Sequence, residues 1–182
     1  MDSDFMNTVA GRISAAGIQV IRFEFEYMAK RRRDSQRRGP DRAAKLIARF
    51  HEVLGRVGPA REVVIGGKSM GGRVASMIAD EVRPAGLLCL GYPFHPPAKP
   101  EQLRTAHLMD LKTPTLIVQG TRDPFGTPDE VAGYPLSKAI ELLWLEDGDH
   151  DLKPRKTISG FSAADHLKTM ADHVLNWSKT LT

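Results

Sequence analysis

Gly67-Lys68-Ser69-Met70-Gly71 sets a serine between two glycines in the G-x-S-x-G pattern. The apolar run Val63 to Ile65 precedes it, and Val74, Met77 and Ile78 follow at helical spacing, so the expected context is strand, sharp turn, helix. A serine on such a turn has its hydroxyl exposed on a strained backbone, while Gly66, Gly67, Gly71 and Gly72 give strand and helix room to approach. The turn also aims the Met70 amide, at the helix N-terminus, toward the point where an oxyanion would form. Because a serine hydroxyl is a poor nucleophile near neutral pH, the pattern requires a histidine base and an orienting acid, in the chain order Ser, acid, His. Asp123 follows the run Leu116 to Val118, and His150 follows the run Ile140 to Leu145. All three residues then fall at the strand ends of a parallel sheet, where such sheets build their sites. The chemistry this predicts is acyl transfer, with Ser69 attacking, His150 serving as base and then acid, and Asp123 orienting His150.

Competing readings of the same residues are weaker. Gly67-Lys68-Ser69 resembles the end of a phosphate-binding Walker loop, but that motif needs a glycine where this chain has Glu62. A glycine-rich turn with Ser69 as a merely small polar residue does not account for Asp123 and His150 at matching strand ends. Asp147, Asp149 and Asp151 invite a calcium reading, yet Leu152 and Ile158 stand where an EF-hand loop requires glycine and glutamate. Asp149 is instead expected to act as a local charge beside His150. Of the remaining histidines, His95 stands out because Tyr92-Pro93-Phe94-His95 follows a central strand. Tyr92, Phe94 and His95 are therefore the candidates for the substrate pocket. No metal or organic cofactor is implied.

The elements that must position these residues alternate along the chain. Phe5, Val9 and Ile13 mark a first helix, with Gly17 as its stop. Ile18 to Tyr27 reads as the next strand, its apolar and charged residues alternating from Ile21 onward as in a strand buried on one face near a sheet edge, followed by a basic loop containing Lys30 to Arg33 with Arg37 and Arg38. Ala43, Ile47, Phe50 and Leu54 predict a second helix, and Leu167, Met170, Val174 and Trp177 a final one opened by Ser162. The uninterrupted runs at 63–65, 87–90 and 116–118, and the run of similar character at 140–145, read as central strands. This pattern predicts a three-layer α/β/α fold on a mostly parallel sheet, with residues 1–182 forming one domain.

The bulk numbers agree. The chain has 182 residues, 41% hydrophobic and 26% charged, enough for one core without disulfides. Its single cysteine, Cys89, lies in an apolar run and is expected in the core. No apolar stretch has bilayer-spanning length, and the acidic start Met1-Asp2-Ser3-Asp4 lacks the features of a secretory signal, so a cytoplasmic location without membrane association is the expectation. The net charge of +4 is modest, and the basic run lacks interleaved aromatics, so nucleic acid is not an expected partner; a small-molecule acyl substrate is.

The sequence resembles the compact, cap-less α/β-hydrolases of the dienelactone-hydrolase-like group. Within it, the likeness is greatest to the subgroup of the testis-expressed hydrolase-like protein and subunit three of the NSL acetyltransferase complex. The likeness spans the chain and is carried by Met1 to Met6, Arg22-Phe23-Glu24-Phe25, the serine turn, Gly91 to Pro97, Gly120 to Gly126 and Gly148-Asp149-His150. It implies a hydrolase fold with Ser69, Asp123 and His150 as triad. Dienelactone hydrolases proper carry cysteine at the turn, so their own substrate does not transfer to Ser69. The resemblance also implies a strand and a His-Gly turn ahead of the first helix, which donate a second oxyanion N–H. On this reading the sheet lacks its N-terminal strand or strands, Met70 is the donor at hand, and Met1 is an internal methionine of a longer chain. Because part of the subgroup serves in a chromatin complex, a catalytically weak protein-interaction module is the alternative function.

Overall fold

The structure is a computed structural model that describes residues 2–36 and 39–181. Seven α-helices and four strands are formed among these residues. In chain order, α1 is Asp4–Ala15, α2 Glu26–Asp34, α3 Ala43–Val57, β1 Val64–Lys68, α4 Met70–Val82, β2 Gly86–Leu90, β3 Thr115–Gly120, α5 Pro128–Val131, β4 Ile140–Leu145, α6 Lys156–Ser159 and α7 Ala163–Ser178. The strands form one parallel sheet in the order β1-β2-β3-β4, with crossovers made by α4 between β1 and β2, by a long loop between β2 and β3, and by a segment containing the short α5 between β3 and β4.

Alternation along these strands divides the core in two. Leu87, Cys89 and Ile117 point to one face, where they pack with Phe25, Leu46, Phe50, Val74 and Ile78 from the α3–α4 layer. Leu90, Leu116 and Val118 point to the other and pack with Val9 and Ile13 of α1 and Met170, Val174 and Trp177 of α7. The predicted three-layer α/β/α architecture is thus observed. Ser3 caps α1 by accepting from the Met6 amide, and Ser162 with Asp165 forms a reciprocal capping box at α7.

The predicted strand at residues 18–27 is a difference. Residues 18–25 run extended but pair with no strand among the described residues, and from Glu26 the chain turns into α2. The alternation is nevertheless physical. Phe25 is buried, and Phe23 meets Phe50 edge-on at 5.0 Å, so the segment is held by aromatic packing on α3 in place of a hydrogen-bond ladder. The neighbouring carboxylates pair with arginines of α2, half-buried Glu24 with Arg32 and exposed Glu26 with Arg33. The expected basic loop is therefore partly the last turn of a helix, where cations oppose the negative end of the helix dipole. Arg37 and Arg38 lie outside the described residues. With no strand on their outer sides among the described residues, β1 and β4, which the apolar runs marked as central, are instead the edges of the sheet, and Val64 in β1 is 40% exposed.

Because Phe50 anchors this ladder-free segment, Phe50→Ala is expected to lower unfolding free energy by about 3–5 kcal/mol, the usual range for truncating a buried aromatic. An unchanged urea midpoint would show that the extended segment is held some other way.

Candidate active site

The serine turn is built by backbone packed on backbone. A Cβ on Gly67 would stand 2.9 Å from the Gly71 carbonyl carbon, and one on Gly72 would stand 2.7 Å from the Gly67 oxygen, so only glycine lets α4 start this close to β1. Gly71 itself has free space at its own Cβ position and contributes its backbone. Ser69, between strand and helix, has φ 51° and ψ −114°, a strained conformation for a residue with a side chain. Its amide donates to the Leu90 carbonyl at 2.8 Å, which ties the turn to the end of β2. The Met70 amide is the first of α4 and belongs to the donors that have no acceptor within a helix.

Three strand ends converge here. His150 Nε2 is 2.9 Å from Ser69 Oγ, and His150 Nδ1 is 2.8 Å from Asp123 Oδ2. Asp123 is fully buried. Its remaining acceptor capacity is taken by Gln119 Nε2, which donates to Oδ2 at 2.9 Å, and by the Phe125 amide, which donates to Oδ1 at 2.9 Å. With Asp123 able only to accept, Nδ1 carries the ring proton and Nε2 is left as acceptor for the serine hydroxyl. Phe125 packs over the imidazole with ring centroids 4.3 Å apart.

Gln119 was not singled out from the sequence. It is fully buried, and its Oε1 accepts from the Tyr92 amide at 2.7 Å while its Nε2 serves Asp123, so one side chain fixes both the acid and the start of the loop after β2. Its position as the next-to-last residue of β3, four before Asp123, was the available signal.

The expected pocket residues are placed differently. Tyr92 and Phe94 are 0% exposed and His95 only 2%, so these side chains support the site from behind and offer no surface to a substrate. Tyr92 and Phe94 belong to the core cluster on the α4 side, and His95 Nε2 lies 3.5 Å from Glu130. The physical reason is that the loop after β2 folds back on itself, with the Arg104 amide donating to the Phe94 carbonyl at 2.7 Å. Asp149, expected as a charge beside His150, turns one carboxylate oxygen to the amides of Asp151 and Lys153 and closes the turn that carries His150. Asp147 pairs with Arg155 and Arg122, and Asp151 with Lys68, so the three aspartates face separate partners. Among the described residues, no three His, Cys, Asp or Glu side chains gather as a metal site.

A second serine–histidine contact exists and differs in chemistry. Ser76 Oγ lies 2.8 Å from His107 Nε2, but it also donates to the Arg73 carbonyl at 2.7 Å, which leaves it accepting from the imidazole. Burial, and then the Arg73 charge, hold His107 below its usual pKa, and no carboxylate is bonded to it. This serine is a helix residue with its proton committed to backbone, without the strain or the acid of the Ser69 site. Two surface concavities, one beside Asp80 and Lys112 and one between Phe25 and Arg49, contain neither pair.

A parallel sheet in which a strand enters a helix through a strained serine turn is the architecture of α/β hydrolases. The chain belongs to the alpha/beta hydrolase domain family, whose family model matches residues 1–179. Among solved structures it is similar to an alpha-beta serine hydrolase homologue from Coxiella burnetii, with TM-score 0.71 and 18% identity over 97% of this chain and 76% of that one. It is also similar to a serine hydrolase without a lid from Xanthomonas campestris, with TM-score 0.69 and 17% identity over 98% and 74% of the two chains. A third likeness is to the esterase domain of a Rhodothermus marinus protein, with TM-score 0.67 and 15% identity over 98% and 81%. At such identities these likenesses show the fold. No helix among the described residues is long and apolar enough to cross a membrane.

The lowered His107 pKa has a stability consequence. Native His107 stays neutral where the unfolded chain already binds a proton, so this contribution is present above about pH 6.5 and is lost as pH falls below it. The drop in urea midpoint between pH 7.5 and pH 5.5 is therefore expected to be smaller in His107→Gln than in the parent; equal drops would contradict the assignment.

Proposed function

We propose that this protein is a serine hydrolase that cleaves a carboxylic ester or a related acyl bond. The observation that carries the proposal is His150, which bridges Ser69 Oγ and buried Asp123 through its two ring nitrogens at 2.9 and 2.8 Å. On this reading Ser69 Oγ attacks the acyl carbon while its proton passes to His150 Nε2, and Asp123 stabilises the imidazolium that forms. The carbonyl oxygen becomes an oxyanion facing the Met70 amide at the start of α4. Collapse breaks the bond to the leaving alcohol, which takes the proton from Nε2, and a water then repeats the sequence on the acyl-serine with His150 again as base.

The dienelactone-hydrolase-like placement is part of the same proposal, supported by Ser69, Asp123 and His150 following β1, β3 and β4 in that chain order. The named relatives include a serine hydrolase homologue and an esterase domain, which is consistent with acyl-bond chemistry. A small acyl compound is the proposed substrate class, and the cytoplasm the proposed location.

A fluorophosphonate probe tests this directly, because it bonds covalently to an activated serine. The parent and Ser76→Ala are expected to label and Ser69→Ala to remain blank, while Asp123→Asn is expected to hydrolyse p-nitrophenyl acetate on the order of 10⁴-fold more slowly. Labelling that disappears in Ser76→Ala and persists in Ser69→Ala would move the nucleophile to the other serine. A parent that neither labels nor hydrolyses the ester would refute the enzyme.

A further inference from the structure

The residue immediately before the nucleophile is a lysine with an unusual setting. Lys68 ends β1, and its side chain is only 18% exposed although it carries an ammonium. Nζ lies 3.3 Å from Asp151 Oδ1 and 5.9 Å from the centroid of the Phe5 ring. Asp151 is the residue immediately after His150. One ion pair therefore joins the position before the nucleophile to the position after the base.

The ammonium is also close to the imidazole. A Cβ placed on Gly91 would stand 3.3 Å from Lys68 Nζ and 3.3 Å from His150 Nδ1, and 2.9 Å from the His150 carbonyl oxygen. Gly91, with φ 64°, thus leaves a gap at the end of β2 into which the His150 backbone settles and beside which the lysine ends. Burial pushes the Lys68 pKa down, opposed by Asp151, Asp123 and Asp149. The far side of the His150 loop is held separately. Leu152 is buried at φ 60°, its carbonyl lies 2.9 Å from His166 Nδ1, and Arg122 and Arg155 are occupied with Asp147. The charged groups at the His150 ring are accordingly Asp123 and Lys68, with Asp151 paired to Lys68 and Asp149 turned to the amides of its own loop.

We propose that Lys68 is a positioning residue: paired with Asp151 and seated beside Gly91, it holds the loop bearing His150 against the serine turn and supplies a fixed positive charge beside the imidazole. The proposal rests on the serine-hydrolase reading for its catalytic meaning, while the electrostatic part concerns His150 whatever the reaction. As a partly exposed ion pair the contact adds little global stability. Its effect is local, at the ring that must accept the serine proton.

The experiment is an NMR titration of the His150 ring, assigned with His150→Gln, in the parent, Lys68→Met, Lys68→Arg and Asp151→Asn. Removing the cation is expected to raise the titration midpoint by about half to one pH unit, and removing the anion to lower it. Lys68→Arg should return the midpoint close to that of the parent. In parallel, Lys68→Met is expected to lower kcat/KM for p-nitrophenyl acetate about tenfold at pH 7 and to move the acid limb of its pH profile upward, with Lys68→Arg restoring most of both. Superimposable titrations in parent, Lys68→Met and Asp151→Asn would overturn the proposal, as would an activity loss in Lys68→Met matched only by lower thermal stability. A parent that fails to react with fluorophosphonate yet shows the opposed shifts would instead refute the hydrolase reading and leave the electrostatic role of Lys68 standing.

Discussion

The contact between Gly67 and Gly72 is the constraint on which the site depends. Two backbones meet there at a separation that no side chain permits, and the chain can leave β1 and enter α4 with a single residue between them. That residue must then take a positive φ, and as Ser69 it lifts its hydroxyl to the edge of the sheet where β2, β3 and β4 also end. The strain is a cost of order 1–3 kcal/mol, sustained by the packing of α4 on β1 and β2. Val74, Ala75, Ile78 and Ala79 bury the helix face that provides this packing.

His150 is delivered by the same kind of close approach. The loop after β4 lies directly on the ends of two other strands, with the Gly148 carbonyl beside the Cα of Gly120 and the His150 carbonyl beside that of Gly91. Positive φ angles at Asp147 and Leu152 bracket the histidine, and Asp149 satisfies the loop's own amides. His150 is therefore held by backbone on one side and by Asp123 on the other, so that little of its orientation is left to its own torsions. Gln119 extends this order into the core by fixing Asp123 and the Tyr92 amide together.

Sequence reasoning recovered what depends on local pattern and chain order. Apolar runs marked β2 and β3 most plainly, because those strands are covered on both faces, and the side-by-side placement of Ser69, Asp123 and His150 was legible because strand ends of a parallel sheet lie together. What remained hidden depends on partners distant in the chain. The alternation from Ile21 to Tyr27 is the pattern of a strand, and only the presence or absence of a neighbouring strand decides whether it forms a ladder. Tyr92 and Phe94 read as pocket residues because they follow β2, but the return of the chain at Arg104 buries them. Gln119 looked like one polar residue at the end of an apolar run, with no local sign that both ends of its amide are used.

Cys89 carries a different consequence. Its thiol is fully buried in β2, raised in pKa by that burial, and its sulfur lies 3.6 Å from the Gly72 carbonyl under the first turn of α4. A thiol so placed is inert while α4 is seated. Its reaction with an electrophile must wait until the helix that strains Ser69 lifts from the sheet, so the rate of alkylation at this one atom becomes a clock for how often the serine turn comes undone.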